Sequence, residues 1–277
     1  MDFVNFEKLV PRNGTVALLS DFHEGLVTQS DHIGTALEMC MSKNSKIILG
    51  GDLTESRTPD HPYYDKTVDD GKYATIQSQA EGIAKKLEPA KKNILAIMTG
   101  NHERCVRKVM NVSKEVVKDL GIDVPYGMIT LKAKIGEDSL FYFHPEKWSC
   151  NSRAGDAEQR YHNDVRKIRR KLYPLAGDCI VMAVAHIHKL RIGNPVRELA
   201  LIGEESDGQV YTSPDMYRGQ VIPETQRWYC STGSFLRTRV AGVTSYSEAG
   251  GYAPTEIGYI EIQMHKGRVA ELREVRL

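Results

Sequence analysis

Lys46-Ile47-Ile48-Leu49-Gly50-Gly51-Asp52-Leu53-Thr54 is the stretch on which the fold reading turns. A short apolar run ends in two glycines, and a carboxylate follows at once. A parallel strand buried on both faces reads as such a run, where a half-exposed strand would alternate. Glycine at the carboxyl end lets backbone or ligand approach closely, and in open α/β sheets that end is where sites are built. Asp52 is therefore a candidate ligand or acid–base group. A single aspartate after a strand is more often a turn or helix-cap residue, so the rest of the chain must decide.

On the N-terminal side, Thr15 to Ser20 reads as a buried strand closed by Asp21-Phe22-His23-Glu24-Gly25. Ser30 or Asp31 then caps a helix to about Met41, with Ile33, Leu37 and Met41 on one face. Strand, helix and strand at this spacing form a βαβ unit, which implies a parallel pair with a right-handed crossover. Residues 55–72 form a long polar loop carrying Pro59, Pro62, Tyr63 and Tyr64, either a functional lid or a disordered connection. Thr75 to Leu87 is helical up to Pro89, and Asn93 to Met98 is a third buried strand closing on Thr99-Gly100-Asn101-His102-Glu103. Helical spacing continues to Leu120, with Val106, Val109, Val112, Val116 and Leu120 as a core stripe.

Met128 to Ile135 and Ser139 to Phe143 make a hairpin about Gly136-Glu137-Asp138, and the second strand runs into His144-Pro145. Cys179 to Ala185 is another buried strand, delivering His186-Ile187-His188. Residues 190–256 read mainly as polar loops, with a strand at Trp228 to Ser231; Gly233-Ser234-Phe235 and the Tyr246 to Tyr252 cluster either line a cleft or pack. The tail from Ile257 to Leu277 is an antiparallel pair turning at Lys266-Gly267. With no repeat or low-complexity linker, one domain over 1–277 is the simpler account, with a basic helical insertion at about 153–173. Buried strands ending in polar clusters, followed by hairpins, imply an α/β fold of two packed sheets with helices outside them.

The net charge is +1 over 277 residues, so no global field favours nucleic acid or an anionic membrane. The five cysteines are scattered without C-x-x-C spacing, which argues for a reducing compartment and against a disulfide framework or zinc ribbon. No stretch approaches the ~20 apolar residues that span a bilayer, and the start has no signal-peptide pattern. A cytoplasmic protein without a membrane partner is expected.

The strand ends carry Asp21 and His23, then Asp52, then Asn101 and His102, then His144, then His186 and His188. A lone histidine at such a place is usually structural; successive clusters where parallel strands converge are a different matter. In extended chain, residues i and i+2 point the same way, so Asp21 with His23, and His186 with His188, can each serve one site. Carboxylate, amide and imidazole donors without thiolate suit first-row divalent metals, with Mn²⁺ leading and Fe, Zn²⁺ or Ni²⁺ as alternatives. Seven of these as ligands, all but His102, exceed what one tetrahedral ion takes. Two ions ~3.5–4 Å apart that share a carboxylate would use them all and clamp an in-line phosphoryl displacement.

The pattern Asp-x-His, Gly-Asp, Gly-Asn-His-Glu, strand-end His and x-His-x-His resembles the calcineurin-like metallophosphoesterase superfamily. The order agrees, and so do the gaps of 31 residues from Asp21 to Asp52, 49 from Asp52 to Asn101 and 42 from His144 to His186. The motifs span residues 21–188. The resemblance implies a four-layer αββα sandwich of two mixed β-sheets. It implies one metal on Asp21, His23, Asp52 and His188, and a second on Asp52, Asn101, His144 and His186, with Asp52 bridging. It further implies attack on phosphorus by a hydroxide held between the metals, with His102 contacting the phosphate and protonating the leaving group. The chain departs from the family at three places. Ala185 stands where glycine is usual before His-x-His. Thr54-Glu55 follows Gly-Asp-Leu where phosphoprotein phosphatases carry Asp-Arg-Gly. Pro145-Glu146 follows His144 in place of small residues, with His162 as a rival ligand.

The expected reaction is hydrolysis of a nucleotide or nucleic-acid phosphodiester. The alternatives are a phosphomonoesterase, including a phosphoprotein phosphatase, and an inactive protein-binding scaffold, which should have lost ligands that are all present here. The segment Arg153 to Tyr173 is the local charge anomaly, with Val165, Ile168 and Leu172 as its apolar stripe. A solvated helix face explains it; the functional reading is a phosphate-backbone contact through Arg166, Arg169 and Arg170, together with Arg104 beside His102. Tyr63, Tyr64 and Trp148 are candidates to stack on bases or simply to pack.

Overall fold

A computed structural model of the chain describes all residues except 1–2, 62–63, 153, 202–208, 212–220 and 250. The strands in chain order are β1 (Phe3–Asn5), β2 (Gly14–Leu19), β3 (Lys46–Leu49), β4 (Ile94–Ile97), β5 (Thr130–Ile135), β6 (Asp138–Phe143), β7 (Val181–Val184), β8 (Leu190–Gly193), β9 (Leu199–Leu201), β10 (Gln209–Tyr211), β11 (Trp228–Thr232), β12 (Gly258–His265) and β13 (Arg268–Arg276). The helices are α1 (His32–Ser42), α2 (Ile76–Leu87), α3 (Asn101–Cys105), α4 (Val112–Leu120), α5 (Ala157–Leu172) and α6 (Tyr246–Ala249). A five-stranded sheet runs β13-β12-β2-β3-β4 and a six-stranded sheet runs β1-β5-β6-β7-β11-β8, while β9 and β10 pair separately. Both large sheets are mixed: β2, β3 and β4 are parallel with β12 antiparallel to β2, and β6, β7 and β11 are parallel with β5 and β8 antiparallel at either side.

Side-chain alternation assigns the layers. Val16, Leu18 and Ile48 face inward against Leu131, Leu140, Val181 and Ala183 of the other sheet, and make the central core. Their neighbours Ala17, Leu19, Ile47 and Leu49 face outward beneath α1, α2 and α4, through Ile33, Leu37, Ile83, Leu87, Val116 and Leu120. On the far side, Phe141, Met182, Val184 and Tyr229 are covered by Ile168 and Leu172 of α5. This is the four-layer αββα sandwich. Both faces of the central strands are buried, which is why their sequences are unbroken apolar runs.

The helical reading to Leu120 is corrected by the structure. The helix stops at Cys105, and α4 begins afresh because the Asn111 side chain accepts the Lys114 N–H at 3.1 Å. Val109 lies in the connecting turn and is 81% exposed, outside the core stripe. The helix read from Thr75 ends at Leu87, just before Pro89, and a 3₁₀ segment, Glu88–Asn93, leads from it into β4. On α5 the buried stripe contains Asp164 as well as Ile168 and Leu172, while Val165 is half-buried. Asp164 is neutralised there by Lys189 Nζ at 2.9 Å and Arg191 Nε at 3.3 Å, which pins α5 to the segment just after His188. The loop from 55 to 72 is tethered to the body, as Val27 N–H donates to Val68 O at 3.0 Å and Asp70 N–H to Gly25 O at 2.8 Å. Arg153 and Tyr63 lie outside the described residues, as does the side chain of Tyr246. All five cysteines are free thiols, and among the described residues no helix is long and apolar enough to cross a membrane.

Candidate metal centre

The carboxyl ends of β2, β3, β4, β6 and β7 all open toward one place. Past its last ladder residue, each of the parallel strands β2, β3 and β7 turns sharply, and the donors sit at the turns. Asp21, His23, Asp52, His186 and His188 all have positive φ, between 50° and 73°. That region is sparsely occupied by non-glycine residues and costs about 1 kcal/mol or more at each. The expectation of an extended i, i+2 arrangement is thus wrong in detail, because the paired donors reach one site through left-handed turns. Main-chain bonds hold these turns in place. Asp21 N–H donates to Gly51 O and His23 N–H to Asp52 O, both at 3.0 Å, and Glu24 N–H donates to Leu53 O at 2.9 Å. Gly233-Ser234-Phe235 braces the same turn: Phe235 N–H donates to Asp21 O at 3.0 Å, and its ring meets Phe22 edge-on at 4.8 Å.

Three donor groups result, of which two carry the expected ligands; the third, His23, Glu55 and His102, shares His23 with the first. Asp21, His23 and His188 offer ligand atoms that all lie within 4.8 Å of one another, and so do Asp52, His144 and His186. In the first, Asp21 Oδ1 is 3.1 Å from His188 Nε2. In the second, His144 Nε2 lies 3.2 Å from Asp52 Oδ2 and 3.2 Å from Asn101 Oδ1, which brings the amide into the same group. The other nitrogen of His144 donates to Gly50 O at 2.6 Å, which fixes the ring and leaves Nε2 for the site. His162, the rival, is 62% exposed on α5 and lies 3.7 Å from Glu158.

The chemistry of the free atoms fits divalent cations. His23 Nε2 and His186 Nδ1 are buried with no hydrogen-bond partner among the described residues, and the buried Asp21 Oδ1 and Asp52 Oδ2 face ring nitrogens of His188 and His144 in their own groups. Buried polar atoms are rarely left so, and these belong to the groups that could hold a metal ion. Protonation follows the same logic. Burial drives His186 down to about 4 and His23 below its ordinary value, against the pull of neighbouring carboxylates, which favours the neutral ring at both. Burial also opposes charge on His144, but the adjoining Asp52 carboxylate pushes its pKa up to about 10. Asp21 is held at about 2, because His188 and His144 outweigh the burial that would raise it. Asp52 likewise stays ionised despite complete burial. A cation in the second group would displace the His144 proton, so loading should release protons.

Glu103 and Glu55 have roles that their sequence positions did not show. Buried Glu103 accepts Gly100 N–H at 2.8 Å and Asp52 N–H at 3.0 Å on one oxygen, and Thr54 N–H at 3.0 Å on the other. It ties the turns bearing Asp52 and Asn101 together. They approach so closely that a Cβ on Gly100 would overlap the Asp52 carboxylate, and one on Gly51 would overlap the Gly100 backbone. Glu55 lies under two rings: Oε2 is 2.9 Å from His23 Nδ1 and 3.3 Å from His102 Nδ1, while Oε1 meets Arg57 Nε at 2.9 Å. His102 N–H donates to Asp52 Oδ1 at 2.9 Å and its Nδ1 to Glu55 O at 2.9 Å, which leaves Nε2 facing Asp52 Oδ2 at 3.9 Å. Burial works against its charge, yet the Glu55 and Asp52 carboxylates raise the His102 pKa above the ordinary value.

The basic residues do not share in this convergence. Arg104 pairs with Glu146 at 3.0 Å. Arg169 stacks over the Tyr229 ring at 5.4 Å and donates to Asn194 O at 3.3 Å, so it belongs to the packing of α5. Arg166 and Arg170 lie on that helix, which covers the outer face of the six-stranded sheet. Trp148 packs edge-on against Phe143 at 5.4 Å beneath Lys171, and Tyr64 donates to Asp69 at 2.7 Å.

No protein-family model matches the chain, and no curated protein does. Among solved structures, a hypothetical protein from Thermus thermophilus aligns over 95% of this chain and 98% of its own, with 11% identity and a TM-score of 0.42. A likeness that distant carries no weight for the chemistry.

Proposed function

We propose that the chain is a dinuclear metal-dependent phosphoesterase of the calcineurin-like metallophosphoesterase kind, acting on a phosphodiester of a nucleotide or nucleic acid. The observation that supports the reading is the convergence of two donor groups at neighbouring strand ends, Asp21, His23 and His188 in one and Asp52, His144 and His186 in the other. Asp21, His23 and His188 would hold one ion and Asn101, His144 and His186 the other, with Asp52 shared between them. Two bound divalent ions, Mn²⁺ first among candidates, would supply charge neutralisation on the phosphate and water acidified toward a pKa of ~7.

The protein residues have distinct tasks in this scheme. Glu103 and the bonded turns fix the spacing of the donors, which limits the reorganisation needed when charge develops. Glu55 holds the His23 ring and stabilises positive charge on His102. With Nδ1 committed to Glu55 O, His102 carries its labile proton on Nε2 and delivers it to the departing oxygen. A diester is favoured over a monoester by what surrounds the site. A dianionic monoester calls for a bidentate guanidinium clamp, and the guanidiniums of Arg57 and Arg104 are each engaged by a carboxylate, at 2.9 Å and 3.0 Å.

The test is hydrolysis of bis(p-nitrophenyl) phosphate beside p-nitrophenyl phosphate, after chelation and again after Mn²⁺ replacement. Activity should vanish on chelation, return with metal and favour the diester. Turnover that persists after complete removal of metal would overturn the mechanism, and a strong monoester preference would replace the diester with a phosphomonoester as substrate.

A further inference from the structure

A cavity of about 530 Å³ lies against the loop that presents Asn101 and His102, with Thr99, Arg104, Arg107, Met110, Asn111 and Met128 in its walls. Its volume falls in the range of about 300–1,000 Å³ that suits one small-molecule unit. Thr99 and Arg104 are near neighbours in sequence of Asn101 and His102, and the Arg104–Glu146 pair links the wall to the segment just after His144. The cavity thus abuts the loop that bears Asn101 and His102.

Its charge is uncommitted on one side. Among the described residues the Arg107 guanidinium has no hydrogen-bond or ion-pair partner, and neither has the Lys108 ammonium beside it. Both belong to the exposed turn created where Asn111 restarts the helix, the same turn that leaves Val109 in solvent. Guanidinium next to methionine and valine walls offers a phosphate contact and an apolar surface for a base or sugar in one pocket.

We infer that this cavity binds the nucleotide unit adjoining the scissile bond of a single-stranded nucleic acid, with Arg107 contacting its phosphate; the inference rests on the phosphodiesterase reading of the adjacent centre. It moves the nucleic-acid contact from α5 to the α3–α4 turn. A single strand is specified because the space admits one unit, and strand affinity comes mainly from such phosphate contacts.

Binding of a short labelled oligothymidylate with cleavage-resistant phosphorothioate linkages, followed by fluorescence anisotropy over a salt series, tests it on the protein as isolated. Arg107→Gln should weaken binding about tenfold and lower the magnitude of the salt slope by about 0.7, the loss of one phosphate contact on a single strand. Lys92→Gln, an equal charge change before β4 at the opposite end of that strand, should alter neither. An Arg107→Gln protein with wild-type affinity and slope, an equal loss in Lys92→Gln, or displacement by a phosphoserine peptide as effective as by unlabelled oligonucleotide would overturn the inference. Because the probe is not cleaved, absence of metal-dependent hydrolysis would count against the enzyme reading alone, and the binding result against the cavity alone.

Discussion

Asp52→Asn is expected to lower turnover of bis(p-nitrophenyl) phosphate by about a thousandfold or more and to leave the chain unable to hold two metal ions. The magnitude follows from removing the one anionic ligand proposed for both ions: several kcal/mol of charge stabilisation depends on them, and each 1.36 kcal/mol is about tenfold in rate. The substitution is close to isosteric. Asparagine keeps an oxygen to accept the His102 N–H, now 2.9 Å from Asp52 Oδ1, and keeps its own N–H on Glu103. What it changes is the buried Oδ2, which faces His144 Nε2 at 3.2 Å. An amide there offers either a neutral oxygen or an N–H₂ that repels a cation. The expected protein is therefore folded, by circular dichroism and thermal melting, but metal-poor by elemental analysis. A folded Asp52→Asn protein that retains two tightly held ions would refute the shared-ligand assignment.

His102→Ala separates chemistry from metal binding. The ring is not in either of the two proposed ligand groups, yet its Nε2 faces the site and its charge is favoured by Glu55 and Asp52. Loss of a general acid costs about 10²–10⁴ in rate, so kcat should fall in that range while the metal content stays at the wild-type level. The effect should depend on the leaving group, being largest for a poor, alkoxide-like one and smaller for p-nitrophenolate, which departs with little help. The pH profile gives the sign independently. A histidine with a raised pKa supplies its proton below that pKa and loses it above, so the wild-type rate should decline on the alkaline side and the His102→Ala rate should not. Equal losses for both leaving groups, with an unchanged alkaline limb, would leave His102 a structural role only.

Much of the fold was legible because burial on both faces writes itself into the strands. Ile47 to Leu49 and Val181 to Val184 read as unbroken apolar runs, and both lie on interior strands of their sheets with helices outside. The helix break at Asn111 was hidden by valines spaced as a helix would space them; a capping side chain outcompeted the pattern, and Val109 went to solvent. The donor positions were legible as strand ends, but their left-handed turns were not, since aspartate and histidine carry no signal of positive φ as strong as glycine's. Glu55 escaped notice for a different reason. It reaches His23 and His102 only because its segment folds back on the chain at Glu24, where Glu55 N–H donates to Glu24 O at 2.9 Å. The basic helix stayed open between a solvated face and a phosphate contact because charge counted along a sequence does not tell which side of a sheet it will cover.

The shared-carboxylate arrangement faces its sharpest trial in anomalous diffraction from crystals equilibrated with Mn²⁺. Two peaks about 3.5–4 Å apart are expected, one against Asp21, His23 and His188, the other against Asn101, His144 and His186, with the Asp52 carboxylate between them. A single peak, or metal bound anywhere other than between these five strand ends, would contradict it.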